Sequence, residues 1–171
     1  MTTTTPITTW LPHPGGDLLA LLPAGYDELR ALYASIWELD IDAVTLELCR
    51  LRLATLIDSR ADLAVRDPRA VAAGLGDAQV EALPAWPTSS LFTAAQRAAL
   101  GFVEQYVIDA HGITDADAAA MHEHFTPQQL ATLTLAMATF DALARVRAVL
   151  GAEATRTGMH LSDTAVGVAL A

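Results

Sequence analysis

Apolar residues in this chain recur at intervals of three and four from residue 24 to residue 151, and no segment carries the two-residue alternation of a half-buried strand. In AGYDELRALYASIWEL (24–39), Tyr26, Leu29, Leu32, Tyr33 and Ile36 fall at helical spacing. Asp42 stands as the cap of AVTLELCRLRLATLID (43–58), where Leu46, Cys49, Leu53 and Leu56 form one face. The pattern predicts a further helix from Ser59 to just before the Gly74-Leu75-Gly76 break. A short turn of helix follows in DAQVEALPAW (77–86), ended by Pro84 and Pro87. Thr93 caps AAQRAALGFVEQYVIDAHG (94–112), which Gly112 closes, and TDADAAAMHEHF (114–125) is another short helix. Pro127 suits the first turn of the last long helix, PQQLATLTLAMATFDALARVRAVLG (127–151). That helix is apolar nearly all round and is expected at the centre of an all-α fold.

The flanks differ from this pattern. Residues 1–23 combine a Thr run, prolines and a Gly-Gly, and read as an extended N-terminal arm. Residues 152–171 are weakly patterned and read as a tail, leaving 24–151 as one helical domain. A chain of 171 residues suits a single domain, and a 53% hydrophobic content dominated by Ala and Leu suits a helical core. No apolar run reaches the ~18 residues of a membrane span, and the Thr-rich start has no basic segment. A soluble, cytoplasmic chain with no membrane partner is expected.

Twenty acidic residues against ten basic ones give a formal net charge of −10, which argues against nucleic acid as a partner. Every one of the cations is Arg. The absence of Lys removes Schiff-base chemistry, a pyridoxal-phosphate anchor and a P-loop lysine together. Cys49 is the sole cysteine, so neither an intrachain disulfide nor a Cys-based zinc site can form. His122 and His124, two residues apart, diverge by about 200° on a helix and cannot share a metal. Neither a metal nor a cofactor is expected.

Three stretches carry a resemblance. LELCRLRLATLIDSRADLAVRD…AVAAGL, LPAWPTSSLFTAAQRAALGFVEQYV and HEHFTPQQLATLTLAMATFDALARVRAVLG, in that order, resemble the carboxymuconolactone decarboxylase and alkylhydroperoxidase D-like family over residues 29–151. The resemblance implies a helical bundle that assembles as a homo-oligomer, a trimer or hexamer, with sites near subunit contacts. In the redox branch of that family a Glu is followed twelve residues on by Cys-x-x-Cys, and then by a His four after the second Cys. Here Glu47 keeps its place, while Ser59, Asp62 and Arg66 stand where Cys, Cys and His would be. None of these replacements supports thiol–disulfide exchange, so disulfide-exchange peroxidase activity is not expected from this motif.

Two readings of the altered motif remain open on sequence. In one, Ser59 and Asp62 form a capping box, and Asp62 and Arg66 an i,i+4 ion pair, so the segment is only a well-capped helix start. In the other, Glu47, Ser59, Asp62 and Arg66 converge on a pocket. Glu47 or Asp62 then moves a proton, Arg66 clamps a substrate carboxylate or enolate, and Ser59 supports with a hydrogen bond. That set suits cofactor-independent decarboxylation, isomerisation, dehydration or cyclisation of a small carbonyl- or carboxylate-containing substrate, a lyase or isomerase. The alternatives are a catalytically silent relative that binds a ligand or partner protein, and residual alkylhydroperoxidase-type activity.

Lesser candidates complete the reading. Glu47 could simply pair with Arg50 or Arg52 on its own helix surface. Cys49 reads as a small buried hydrophobe, and His111 and His124 as helix-end residues. Tyr33, Trp37 and Trp86 are candidates for an aromatic substrate pocket. Asp141 and Arg145 are expected as a buried or interface ion pair.

Overall fold

The computed structural model describes residues 25–150; the proposed arm (1–23) and tail (152–171) lie outside the described residues. Among the described residues eight α-helices follow one another: α1 (Tyr26–Ile36), α2 (Ala43–Leu56), α3 (Arg60–Leu63), α4 (Pro68–Ala72), α5 (Asp77–Glu81), α6 (Ala94–Asp109), α7 (Asp115–His122) and α8 (Pro127–Leu150). Short 3-10 turns at Leu83–Ala85 and Ala110–Gly112 precede and follow α6. No strand occurs among the described residues, so the all-α expectation holds. No helix among them is long and apolar enough to cross a membrane.

The caps expected of Asp42 and Thr93 are in place, and Thr114 adds one the sequence reading did not name. Asp42 accepts from the Thr45 N–H at the start of α2. Thr93 and Thr114 each close a reciprocal capping box, with Gln96 on α6 and Asp117 on α7.

The centre of the fold is α2, not α8. Along α2 every residue from Val44 to Leu51 is buried. Leu46, Cys49 and Leu53 pack with Tyr33, Ile36 and Trp37 of the α1 region, Val103 of α6, and Met137 and Phe140 of α8. Val44, Leu48 and Leu51 face the other way, into a second cluster with Ala70, Leu75, Leu83, Phe92 and Leu100. α8 instead buries one stripe, including Leu133, Ala136, Met137, Phe140 and Leu143. Its opposite side, with Leu135 at 45% exposure, is open. The uniformly apolar composition of α8 concealed this, because an exposed Ala or Leu reads like a buried one in a hydropathy pattern.

The helix expected from Ser59 to Gly74 is two helices. α3 ends after a single turn at Leu63, and α4 begins at Pro68 behind its N-cap Asp67. Pro68 sits at the first helical position, where its missing N–H costs nothing, and it biases Asp67 to the extended backbone that a cap requires.

Candidate functional site

With two apolar faces of α2 occupied by the clusters, Glu47 and Arg50, one helical turn apart, share a third. Beyond the helix end, Asp58 adopts a left-handed conformation with φ of 55°, which Asp tolerates better than most residues. The Ser59 N–H donates back to the Ala54 carbonyl at 2.9 Å, closing the turn. Residues 59–67 therefore double back along α2, with Asp62 and Val65 beside Arg50 and Asp67 beside Glu47.

Arg50 is the hub of what results. Its Nε and Nη2 donate to the two Glu47 carboxylate oxygens, each at 2.7 Å. Nη1 donates to the Asp62 carbonyl at 3.0 Å and Nη2 to the Val65 carbonyl at 2.9 Å. The Asp62 carboxylate lies 3.6 Å from Nη1. Glu47 receives a third donor, the Asp67 N–H, at 3.1 Å. Glu47 is 0% and Arg50 3% exposed. Burial by itself lowers the pKa of Arg50, but the hydrogen bond and charge of Glu47, aided by Tyr33 and Asp62, outweigh it and hold the guanidinium above its ordinary value.

Ser59 and Asp62 are buried beside this pair, and the Ser59 hydroxyl donates to Asp62 Oδ2 at 2.5 Å. The expected capping box is not formed. Ser59 occupies the N-cap position of α3 but makes no side-chain cap hydrogen bond, because its hydroxyl is turned to the carboxylate. The expected Asp62–Arg66 pair is not formed either. An i,i+4 contact needs a continuous helix, and α3 stops at Leu63. Arg66 donates through Nη1 to the carbonyls of Leu63 at 2.7 Å and Val65 at 2.8 Å. It faces a cleft lined by Val71, Leu75, Gly76, Asp77 and Val80. The structure thus brings Glu47, Ser59 and Asp62 together around Arg50 and leaves Arg66 on the far side of the loop.

Other residues flagged in the sequence fall elsewhere. Tyr33 and Trp37 are core residues that form an aromatic trio with Phe140, at centroid separations of 5.7–6.3 Å. Trp86 packs against the second cluster and donates its indole N–H to Glu104, which also accepts from Arg52. The three aromatics therefore do not share one pocket. Cys49 is fully buried, and burial pushes its thiol pKa well up, so it is the small buried hydrophobe expected. His111, His122 and His124 are exposed, and no cluster of metal-ligating residues occurs among the described residues. The Asp141–Arg145 pair is formed, but Arg145 is 59% exposed, so within this chain the pair is not buried.

Sequence reasoning missed Asp67 and Arg69. Asp67 is 0% exposed and accepts the Arg69 N–H at 2.9 Å and Arg69 Nε at 3.1 Å. The Arg69 guanidinium lies 4.9 Å from the centre of the Trp37 ring. The Asp67-Pro68 dipeptide, a cap followed by N1 proline, was the available signal.

No protein-family model and no curated protein matches the chain. Three solved chains match it. One is the crystal structure of an Agrobacterium tumefaciens protein of unknown function, named as a candidate antioxidant defence protein AhpD. It superposes with a TM-score of 0.67 at 19% identity, over 74% of this chain and 87% of that one. At that identity the likeness is one of fold alone. The chain has an AhpD-like all-helical fold.

Proposed function

We propose that this protein is a thiol-independent, ligand-binding relative of AhpD-like proteins, in which the position of the redox motif has become a structural latch. The observation that carries this reading is the complete engagement of Glu47. Both of its oxygens are taken by Arg50, a backbone N–H adds a third bond, and the carboxylate has no exposed surface. A general base must reach the proton it abstracts, and a carboxylate committed in this way does not. Removing one partner of such a buried pair costs on the order of 3–5 kcal/mol, whereas replacing both with apolar side chains is often neutral or stabilising. Melting of Glu47→Gln, Arg50→Met and the double variant Glu47→Leu/Arg50→Met tests the latch. Both single variants should be severely destabilised and the double variant substantially restored. A Glu47→Gln protein as stable as the wild type would overturn it.

A second reading, the acid–base enzyme, draws support from the buried Ser59–Asp62 hydrogen bond at the two positions where thiols would stand. In it Asp62 moves the proton, Ser59 tunes it, and Glu47 and Arg50 hold the loop. Screening small β-keto acids and lactones for proton–deuterium exchange or carbon dioxide release, with Asp62→Asn as control, decides it. Activity lost in Asp62→Asn with folding intact would make the protein a lyase or isomerase. Assembly as a trimer or hexamer, and a cytoplasmic location, remain part of the proposal. Light scattering on the purified chain reads the former.

A further inference from the structure

A surface cleft of about 230 Å³ opens between Arg66 and the α4–α5 corner. Its apolar wall is Val71, Leu75 and Val80, and Val71 is 52% exposed, which leaves a branched side chain open to water. Among the described residues its charged ones are Arg66 and Asp77. They are opposite in sign yet form no ion pair among the described residues, so neither neutralises the other by contact. Arg66 is fixed through Nη1 alone, by the Leu63 and Val65 carbonyls. Its Nε and Nη2 carry no hydrogen bond among the described residues, and this is the edge that grips a carboxylate in bidentate fashion. The volume lies below the roughly 300–1,000 Å³ of pockets for drug-sized ligands, so the occupant is small.

We infer that this cleft binds a small amphiphilic carboxylate, with the anion on Arg66, the apolar body on Val71, Leu75 and Val80, and a hydroxyl or ammonium donor toward Asp77. The inference rests on the ligand-binding reading above and names its ligand class. Gly76 supplies an independent handle. Gly76 lines the cleft, a Cβ built there meets nothing within 4 Å, and its φ of −106° is open to any residue, so Gly76→Leu adds bulk at the cleft wall without a clash.

An ¹H–¹⁵N NMR titration of the full chain with ε-aminocaproate tests this, with hexanoate and the amide of ε-aminocaproate as comparisons. Shifts should cluster at the amides of Arg66 and of residues 71–80. The amide should bind at least about tenfold more weakly, a difference of roughly 1.4 kcal/mol, and hexanoate should fall between the two. Arg66→Met and Gly76→Leu should each remove the shifts while the helical circular dichroism persists. Equal binding of acid and amide, shifts that survive both substitutions, or no shifts at millimolar ligand would overturn the inference. Shifts clustered away from the cleft would overturn it while sparing the binding reading. No shifts anywhere, together with proton exchange that depends on Asp62, would remove both.

Discussion

The guanidinium groups of Arg50 and Arg66 meet at one backbone oxygen. The Val65 carbonyl accepts from Arg50 Nη2 at 2.9 Å on its buried side and from Arg66 Nη1 at 2.8 Å on its cleft side. The loop after α3 is thus gripped from within by a buried ion pair and from without by a half-buried cation, and the two grips share one acceptor. Substitutions at Arg50 and Arg66 should therefore be non-additive. Arg66→Met alone should cost about 0.5–1.5 kcal/mol, the net worth of a typical hydrogen bond. In an Arg50→Met background, where the loop is already released, it should cost less. Urea unfolding of the four proteins in a double-mutant cycle measures the coupling, and strict additivity would mean the grips are independent.

Asp67 holds the other end of the loop. It caps α4, receives two bonds from the Arg69 side chain and is fully buried. Asp67→Ala removes the cap, worth about 0.5–2 kcal/mol, and leaves Arg69 with its exposed partner Glu38 at 3.5 Å. Asp67→Asn keeps a capping oxygen and should lose distinctly less. Hydrogen exchange in residues 64–72 should quicken in Asp67→Ala, while the core amides of α2 stay protected. Uniform quickening throughout would show that the loss is global.

Most of the fold was legible because its signals are local. Thr93 with Gln96 and Thr114 with Asp117 sit three residues apart, and a cap needs nothing else. The site was legible in membership but not in geometry. Glu47, Ser59 and Asp62 do come together, yet their organiser is Arg50, which acts across 12 and 15 residues on main-chain carbonyls. Backbone acceptors have no sequence signature, so no spacing rule could find those bonds. Arg66 was misplaced for a related reason. Its partnership with Asp62 assumed a continuous helix, and α3 stops after one turn at Leu63.

Cys49 offers a test that depends on proton linkage. Burial within the central cluster raises its pKa from an ordinary value of 9.0, so the folded state keeps the thiol protonated under conditions where the unfolded chain ionises. Above about pH 9 the unfolded state therefore binds fewer protons than the folded one, and stability must fall as pH rises. A single such group contributes a slope of about −1.4 kcal/mol per pH unit once the unfolded thiol is ionised. Below pH 8 the contribution of this thiol is fully present and flat. Tyr106, raised chiefly by burial and then by Asp141, pushes stability in the same direction at higher pH, so the comparison has to be made within a matched pair. Cys49→Ala should be less stable than wild type at neutral pH, through the lost sulfur packing, and the gap should narrow steadily from pH 9 to pH 10.5. The native thiol should also resist alkylation by iodoacetamide until the chain unfolds. A gap that stays constant with pH, or rapid alkylation of the folded protein, would show that Cys49 is reachable as a thiolate and would restore it as a candidate nucleophile.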